Sequence, residues 1–220
     1  MNAPRLDELP TEFPIFPLSG ALLLPHGKLP LNVFERRYLA MIEDALSAGR
    51  VIGMIQPDEL RPATPSGPAL YKVGCLGRLS SFSETDDGRV LVTLTGVIRF
   101  AVKVELELHR GYRRVRGDLA RFRTDLEADP APDGIDREGM LDALRAYFTA
   151  RGFDANWEAI NEMPDDALVT TLAMVCPFDP AEKQALLEAS GTAGRAGTLL
   201  TLLRMGAHTA EPGRRGRQAS

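Results

Sequence analysis

The sequence predicts an α+β protein, strands first and helices after. Three observations carry that prediction. Residues 71–122 contain long runs of alternating apolar and polar side chains, the period of a strand with one wet face. Residues 137–208 place leucines and aromatics at helical spacing behind recognisable start signals. Between them, the acidic stretch 125–136 (DLEADPAPDGID) carries Pro130, Pro132 and Gly134 and breaks both patterns. The bulk properties fit. The chain has 220 residues, 44% of them hydrophobic and 25% charged, enough to bury a sizeable core. That excludes full-length disorder and collagen-like or coiled-coil architectures. The net charge of −4 argues against a dedicated nucleic-acid binder, which shows a basic footprint.

Residues 1–12 read as a flexible lead-in. The apolar segments 13–18, 21–25 and 29–31 are punctuated by Pro14, Pro17, Pro25 and Pro30. Proline fixes φ and donates no ladder hydrogen bond, so these segments read as edge-type or bulged strands joined by turns. A helix opens at Phe34, with Phe34, Tyr38, Ile42 and Ala45 on its buried face and Gly49 as its stop. Residues 51–56 (VIGMIQ) read as a buried strand, and the proline-rich stretch 57–68 as a loop.

Residues 73–82 form a strand, Asp86-Asp87-Gly88 a hairpin turn, and 89–95 the return strand. After Gly96, residues Ile98, Phe100, Val102, Val104, Leu106 and Leu108 alternate with polar positions, which predicts one apolar face buried along a long strand. Residues 112–122 add a last strand. In the second half, Leu141, Leu144, Tyr147 and Phe148 make one helical stripe, and 156–163 a short helix. Asp165 caps a helix bearing Leu168, Leu172 and Val175. Asp179-Pro180-Ala181-Glu182 is a strong helix start: an acceptor cap, proline at the first position, glutamate at the third. Gly191, Gly194 and Gly197 read as a cap and loop before a final helix with Leu199, Leu202 and Leu203 inside. The tail 209–220 reads as basic and disordered.

Chemistry is sparse. A phosphate-cradling GxxxxGK[ST] loop is absent, since Gly27-Lys28 lacks the preceding glycine and is followed by Leu29. There is no GxGxxG, no HExxH and no GxSxG. The two cysteines, Cys75 and Cys176, sit in apolar runs as core thiols, and the three histidines share no metal-ligand spacing. No metal, cofactor or catalytic residue is therefore expected. The N-terminus has no apolar signal core, and no run is long enough to span a membrane, so a cytoplasmic location without membrane contact is expected. Two patches stand out. Arg110, Arg113, Arg114, Arg116, Arg121 and Arg123 cluster at the last strand, as phosphate contacts or as the charged outward positions of an edge strand. Phe34-Glu35-Arg36-Arg37-Tyr38 is a partner-facing surface, or a helix start that locks Phe34 and Tyr38 into the core.

Taken in order, the segments resemble the Lon N-terminal, substrate-binding domain family. The resemblance is carried by Phe16-Pro17-Leu18, Pro25, and Pro30 through Tyr38. It continues in Tyr71-Lys72-Val73-Gly74, Asp87-Gly88 and Gly96-Val97-Ile98-Arg99-Phe100, with PFDPAEKQALLEA in a helical extension. It implies a PUA-like β pseudo-barrel, mostly antiparallel with six or so strands, followed by a C-terminal helical bundle. The expected division is a lead-in 1–12, a β domain 13–124, a linker 125–136, a helical subdomain 137–208 and a tail 209–220. In full-length Lon proteases an ATPase and a Ser-Lys peptidase follow this domain, and neither is expected here. The function so implied is a non-catalytic module that binds unfolded or flexible protein segments, with a protease or chaperone as a further partner. Glu35, Arg36, Arg37, Tyr38, Arg99 and Phe100 are the expected contact residues. An RNA-binding PUA-like module is the alternative, and a small-molecule binder or hydrolase a third reading.

Overall fold

The computed structural model describes residues 4–86, 88–127 and 134–209. The expected tail therefore lies outside the described residues apart from Thr209, as do residues 128–133 of the expected linker and Asp87 of the hairpin turn.

The six strands are β1 (Glu12–Pro17), β2 (Lys28–Val33), β3 (Val51–Ile55), β4 (Val73–Glu84), β5 (Val90–His109) and β6 (Tyr112–Asp118). They form one sheet in the order β2-β5-β4-β3-β1-β6, and a β5–β6 pairing returns the sheet on itself. Only β1 and β3 run parallel; all other pairs are antiparallel. This is the expected mostly antiparallel pseudo-barrel, with register shifts in place of a regular barrel.

Proline placement follows from the pairing. Pro30 sits in β2, an edge strand paired only with β5. Pro14 sits in a strand with two neighbours, contrary to the edge-strand expectation. It is tolerated because β1 pairs β6 through Glu12–Ile15 and β3 through Ile15–Pro17, so at Pro14 only one side is paired. Residues 21–25 are not a strand either. Leu22, Leu23 and Leu24 form an irregular plug, each at most 2% exposed.

The two expected strands on either side of Gly96 are one continuous strand. A Cβ on Gly96 would lie 1.9 Å from the Leu24 carbonyl oxygen, so only glycine lets the plug approach there. Further along, the expected single apolar face of β5 fails. Val102 pairs with Gly117, but Val104 pairs with Arg116, so an extra residue is inserted between them. Gly117 faces the ring of Phe13 and the Cβ of Phe100, in the core, while Arg116 faces solvent. The bulge therefore turns Val104 outward, 44% exposed, and a second register shift lies between Leu106 and His109, where Leu108 is 52% exposed. Glu105 turns inward in place of Val104 and takes both nitrogens of the buried Arg113, at 2.7 and 2.8 Å.

Helix α1 (Arg36–Ser47) packs Tyr38, Met41, Ile42 and Ala45 inward, with Tyr38 tilted against Phe16 at 4.2 Å. It begins two residues later than expected, after Glu35, and leaves Phe34 62% exposed rather than in the core. The chain then leaves α1 through Gly49 and Arg50, both at positive φ.

The helical part comprises α2 (Arg137–Arg151), α3 (Trp157–Glu162), α4 (Asp165–Val175), α5 (Pro180–Glu188) and α6 (Gly191–Thr209). The Asp179/Glu182 capping box forms as the sequence reads. Three details differ. Pro164, not Asp165, is the cap of α4, and Asp165 lies inside its first turn beside Arg137. Val175 is 73% exposed, because the buried face of α4 runs through Leu168, Val169 and Leu172. Gly191, Gly194 and Gly197 lie within α6, not in a loop before it.

Helix α5 joins the two parts. Gln56 of the barrel, 1% exposed, donates to the Pro180 carbonyl and to Gln184 Oε1, and its own Oε1 accepts from the Gly20 amide. Gln184 Nε2 in turn donates to the Val73 carbonyl, and Lys183 Nζ to the carbonyls of Gly20 and Met174. Desolvation lowers the pKa of that lysine. Burial likewise raises both thiols, Cys176 to about 12, so neither cysteine is a nucleophile at neutral pH.

Candidate protein-binding surface

The structure divides the six expected contact residues. Glu35, Arg36 and Arg37 are exposed where β2 hands over to α1. Arg37 closes onto Glu35 at 2.8 and 3.0 Å and lies over the Tyr38 ring. Tyr38 is only 6% exposed, and its burial raises the phenol pKa. Phe100 is fully buried against Phe13, with ring centroids 4.9 Å apart. Arg99 is also buried. Its guanidinium meets both Asp125 oxygens at 2.7 and 2.9 Å, donates to the Leu187 and Ala189 carbonyls, and stacks over Phe122. Tyr38, Arg99 and Phe100 are thus buried, and Arg99 is spent holding the short helical turn at Ala120–Leu126 and the end of α5 to the barrel. Asp125, read as the start of a linker, is held in place by that same pair.

The exposed arginines continue into a surface the sequence reading passed over. Asn32 of β2 lies opposite Leu91 of β5, which lies opposite Ser83 of β4, so all three share one face. Phe34 stands next along the chain, with the Arg89 guanidinium 5.7 Å from its ring centre. Asn32, Thr85, Asp86, Arg89 and Leu91 line an open cavity of about 460 Å³. Leu91 is 45% exposed, and Phe82, on the opposite face of the adjacent strand, is 42% exposed. An apolar group inserted here gains contact with Leu91 and the neighbouring Phe34, and Arg89 supplies charge at the rim. The signal was present in the sequence. In RVLVTLT, Val90, Val92 and Leu94 hold the inward phase, and Leu91 is the apolar residue out of phase with them.

The arginines 110–123 do not form a free cationic strip. Arg110 pairs with Glu43 and Asp44, Arg113 with Glu105, and Arg114 and Arg116 with Glu12. Arg110 and Tyr112 hold the Asp44 carboxyl below its usual range, against the opposing effect of burial. Nor is β6 an edge strand, since β1 and β5 flank it. Among the described residues no His/Cys/Asp/Glu group could hold a metal, and no helix is long and apolar enough to cross a membrane.

Comparison with known proteins adds the following. The family model of the ATP-dependent protease La (LON) substrate-binding domain matches residues 12–205. Lon protease 2 of Myxococcus xanthus is 29% identical over 121 residues, covering 55% of this chain and 14% of that protein. Lon protease 2 of Thermus thermophilus is 24% identical over 202 residues, covering 89% of this chain and 24% of that protein. The chain thus spans a quarter or less of the curated relatives it matches. Among solved structures, the Lon N-terminal domain protein from Xanthomonas campestris aligns with a TM-score of 0.58 at 23% identity, over 87% of this chain and 98% of that one. The N-terminal domain of the Mycobacterium avium complex Lon protease aligns at 0.60 and 16% identity, over 87% and 97%. These two share the fold.

Proposed function

This chain belongs to the LON substrate-binding domain family, and from that premise we propose that it binds exposed apolar or extended segments of other proteins without acting on them chemically. The similarity is to the substrate-binding domain of Lon, not to its catalytic part. The observation that supports the reading best is the surface around Phe34 and Leu91, two half-exposed apolar side chains beside an open cavity with arginine at its rim. Monomeric proteins expose contiguous apolar surface chiefly where something binds. Glu35, Arg36 and Arg37 follow Phe34 in the chain as its charged margin, while Tyr38, Arg99 and Phe100 act as buried supports of the barrel. The β part, 13–124, holds the client and the helical part, 137–208, braces it. A cytoplasmic protease or chaperone is the fitting recipient. The pairing of four arginines by carboxylates favours this reading over RNA.

The test is fluorescence anisotropy with a labelled, reduced and alkylated globular protein that stays unfolded, against its native form. The unfolded form should bind and the native form should not. Replacing both Phe34 and Leu91 by Ser should weaken binding by tenfold or more, since each loses roughly 1.5 kcal/mol or more of apolar burial. Equal binding of both forms, or an affinity indifferent to these replacements, rejects the proposal.

A further inference from the structure

We infer that a client binds as an added strand along the open edge of β2, as an extended segment that is apolar at its centre and acidic at its ends. This rests on the surface around Phe34 and Leu91 being the client site, and names how the client main chain is held there. Hydrogen bonds at two points fix which way the backbone of this edge points. At the start of β5, the Arg89 carbonyl accepts from the Thr85 amide at 2.9 Å, so Arg89 points to β4. At the far end of the same stretch, the Gly96 amide donates to the Gly27 carbonyl at 2.8 Å, and the Gly96 carbonyl accepts from the His26 amide at 2.9 Å. Gly96 therefore points to the β2 side. Alternate residues of a strand point to alternate neighbours, so both anchors turn Val90, Val92 and Leu94 toward β2 as well. Their partners Val33, Leu31 and Leu29 are then the hydrogen-bonded residues of β2. The main-chain groups of Lys28, Pro30 and Asn32 point the other way, to an edge with no strand against it among the described residues. All three residues are exposed. Pro30 falls where its missing N–H costs the ladder nothing.

Unpaired backbone groups in a row are a template for an added strand. Here the row is short. Pro30 offers a carbonyl alone, while Asn32 offers an N–H and a C=O together, at the end next to Phe34. A client residue opposite Asn32 exchanges both bonds with it. Its side chain then stands on the face shared by Asn32 and Leu91, where the cavity opens. Main chain and side chain are thus held at one place. Charge selects the occupant. No residue of β2 is acidic. Lys28 at the start of the edge and Arg36 just past its end are exposed, and neither has an ion-pair partner among the described residues. Glu35, beside Arg36 in the chain, is taken by Arg37 at 2.8 Å. Opposite charges on neighbouring strands attract and like charges repel. An acidic segment fits this edge, whereas the β2 of a second copy would set cation against cation.

Fluorescence anisotropy of the full chain with a labelled short peptide tests the inference. The peptide has phenylalanine at its centre, threonine and valine on either side, and aspartate at both ends. It should bind, and replacing both aspartates by lysine should weaken binding roughly fivefold. Asn32→Pro removes the outward N–H and keeps every bond to β5. It should weaken binding roughly tenfold more than Asn32→Ala does, since a hydrogen bond is lost and the ring obstructs the edge. Equal melting temperatures would confirm that both variants fold. Methylating the peptide nitrogens one at a time needs no variant, and should weaken binding at alternate residues only, the period of a strand. No binding at millimolar peptide overturns the inference. So do equal effects of the two Asn32 variants, methylation without alternation, or a lysine peptide bound as well as the aspartate one. Phe34→Ser with Leu91→Ser separates this failure from failure of the site. A peptide that needs both side chains but fails these tests docks by its side chains alone, which overturns strand addition and leaves the site in place. A peptide indifferent to Phe34 and Leu91 as well overturns both.

Discussion

Arg99 shows how a residue can be picked out for a sound reason and given the wrong role. Its place in Gly96-Val97-Ile98-Arg99-Phe100 marks it in the sequence, and a charged residue beside a buried phenylalanine reads as a surface contact. Sequence cannot show that Asp125, beyond two more elements, returns to meet it. The pair is enclosed, with side-chain exposures of 5% and 7%, and three structural pieces share it. Removing one member of such a pair leaves an uncompensated buried charge, a cost of about 3–5 kcal/mol. Asp125→Ala should therefore lower the urea midpoint by most of the protein's stability margin. Arg99→Met with Asp125→Leu should cost far less than the sum of the single changes. Additive losses in that cycle would mean that the two side chains do not act as a pair. Leu91 is the opposite case. Its out-of-phase position was legible, but an apolar residue on a wet face acquires meaning only when Phe34 and Arg89 are seen beside it.

At the scale of elements, period was legible and phase was not. The alternation of β5 shows a strand along its whole length, and the structure contains one. Its inside and outside, however, depend on two register shifts, one at Lys103 and one between Leu106 and His109, where no glycine or proline announces a bulge. Because strand side chains have a period of two, one such insertion reverses every later assignment. The same limit explains the helix starts. The Asp179 box was legible because two side chains and a proline act together, whereas the Pro164/Asp165 start depended on a one-residue choice. The inward turn of Glu105 has a measurable consequence. Glu105→Leu restores an apolar residue where a simple pattern would want one, yet it strips Arg113, 5% exposed, of its carboxylate. The change should destabilise by about 3 kcal/mol or more, read as a drop in the urea midpoint at constant slope. A neutral or stabilising result would show that the bulge does not hold in solution.

For the whole molecule, the order of strands before helices was legible, because hydrophobic period changes at 125–136. How tightly the halves hold each other was not, since the ties come from single polar side chains far apart in sequence: Gln56 to Gln184, Lys183 to the Gly20 carbonyl, Arg99 to the end of α5. Each replaces solvent with a buried partner, so separating the halves would leave several polar groups unsatisfied at once. Partial opening is then a poor compromise, and barrel and helices should unfold as one unit. The protein carries its own probe, because its one tryptophan, Trp157, lies in the helical part, in contact with Phe148 and Arg145. In denaturant, Trp157 fluorescence and hydrogen exchange of the β3–β5 amides should report the same midpoint and the same opening free energy. If the tryptophan signal changes first while the strand amides stay protected, the helices are a separable unit. The α5 contacts would then be a docking that can be undone, and the surface around Leu91 would have to hold clients without the brace assigned to it.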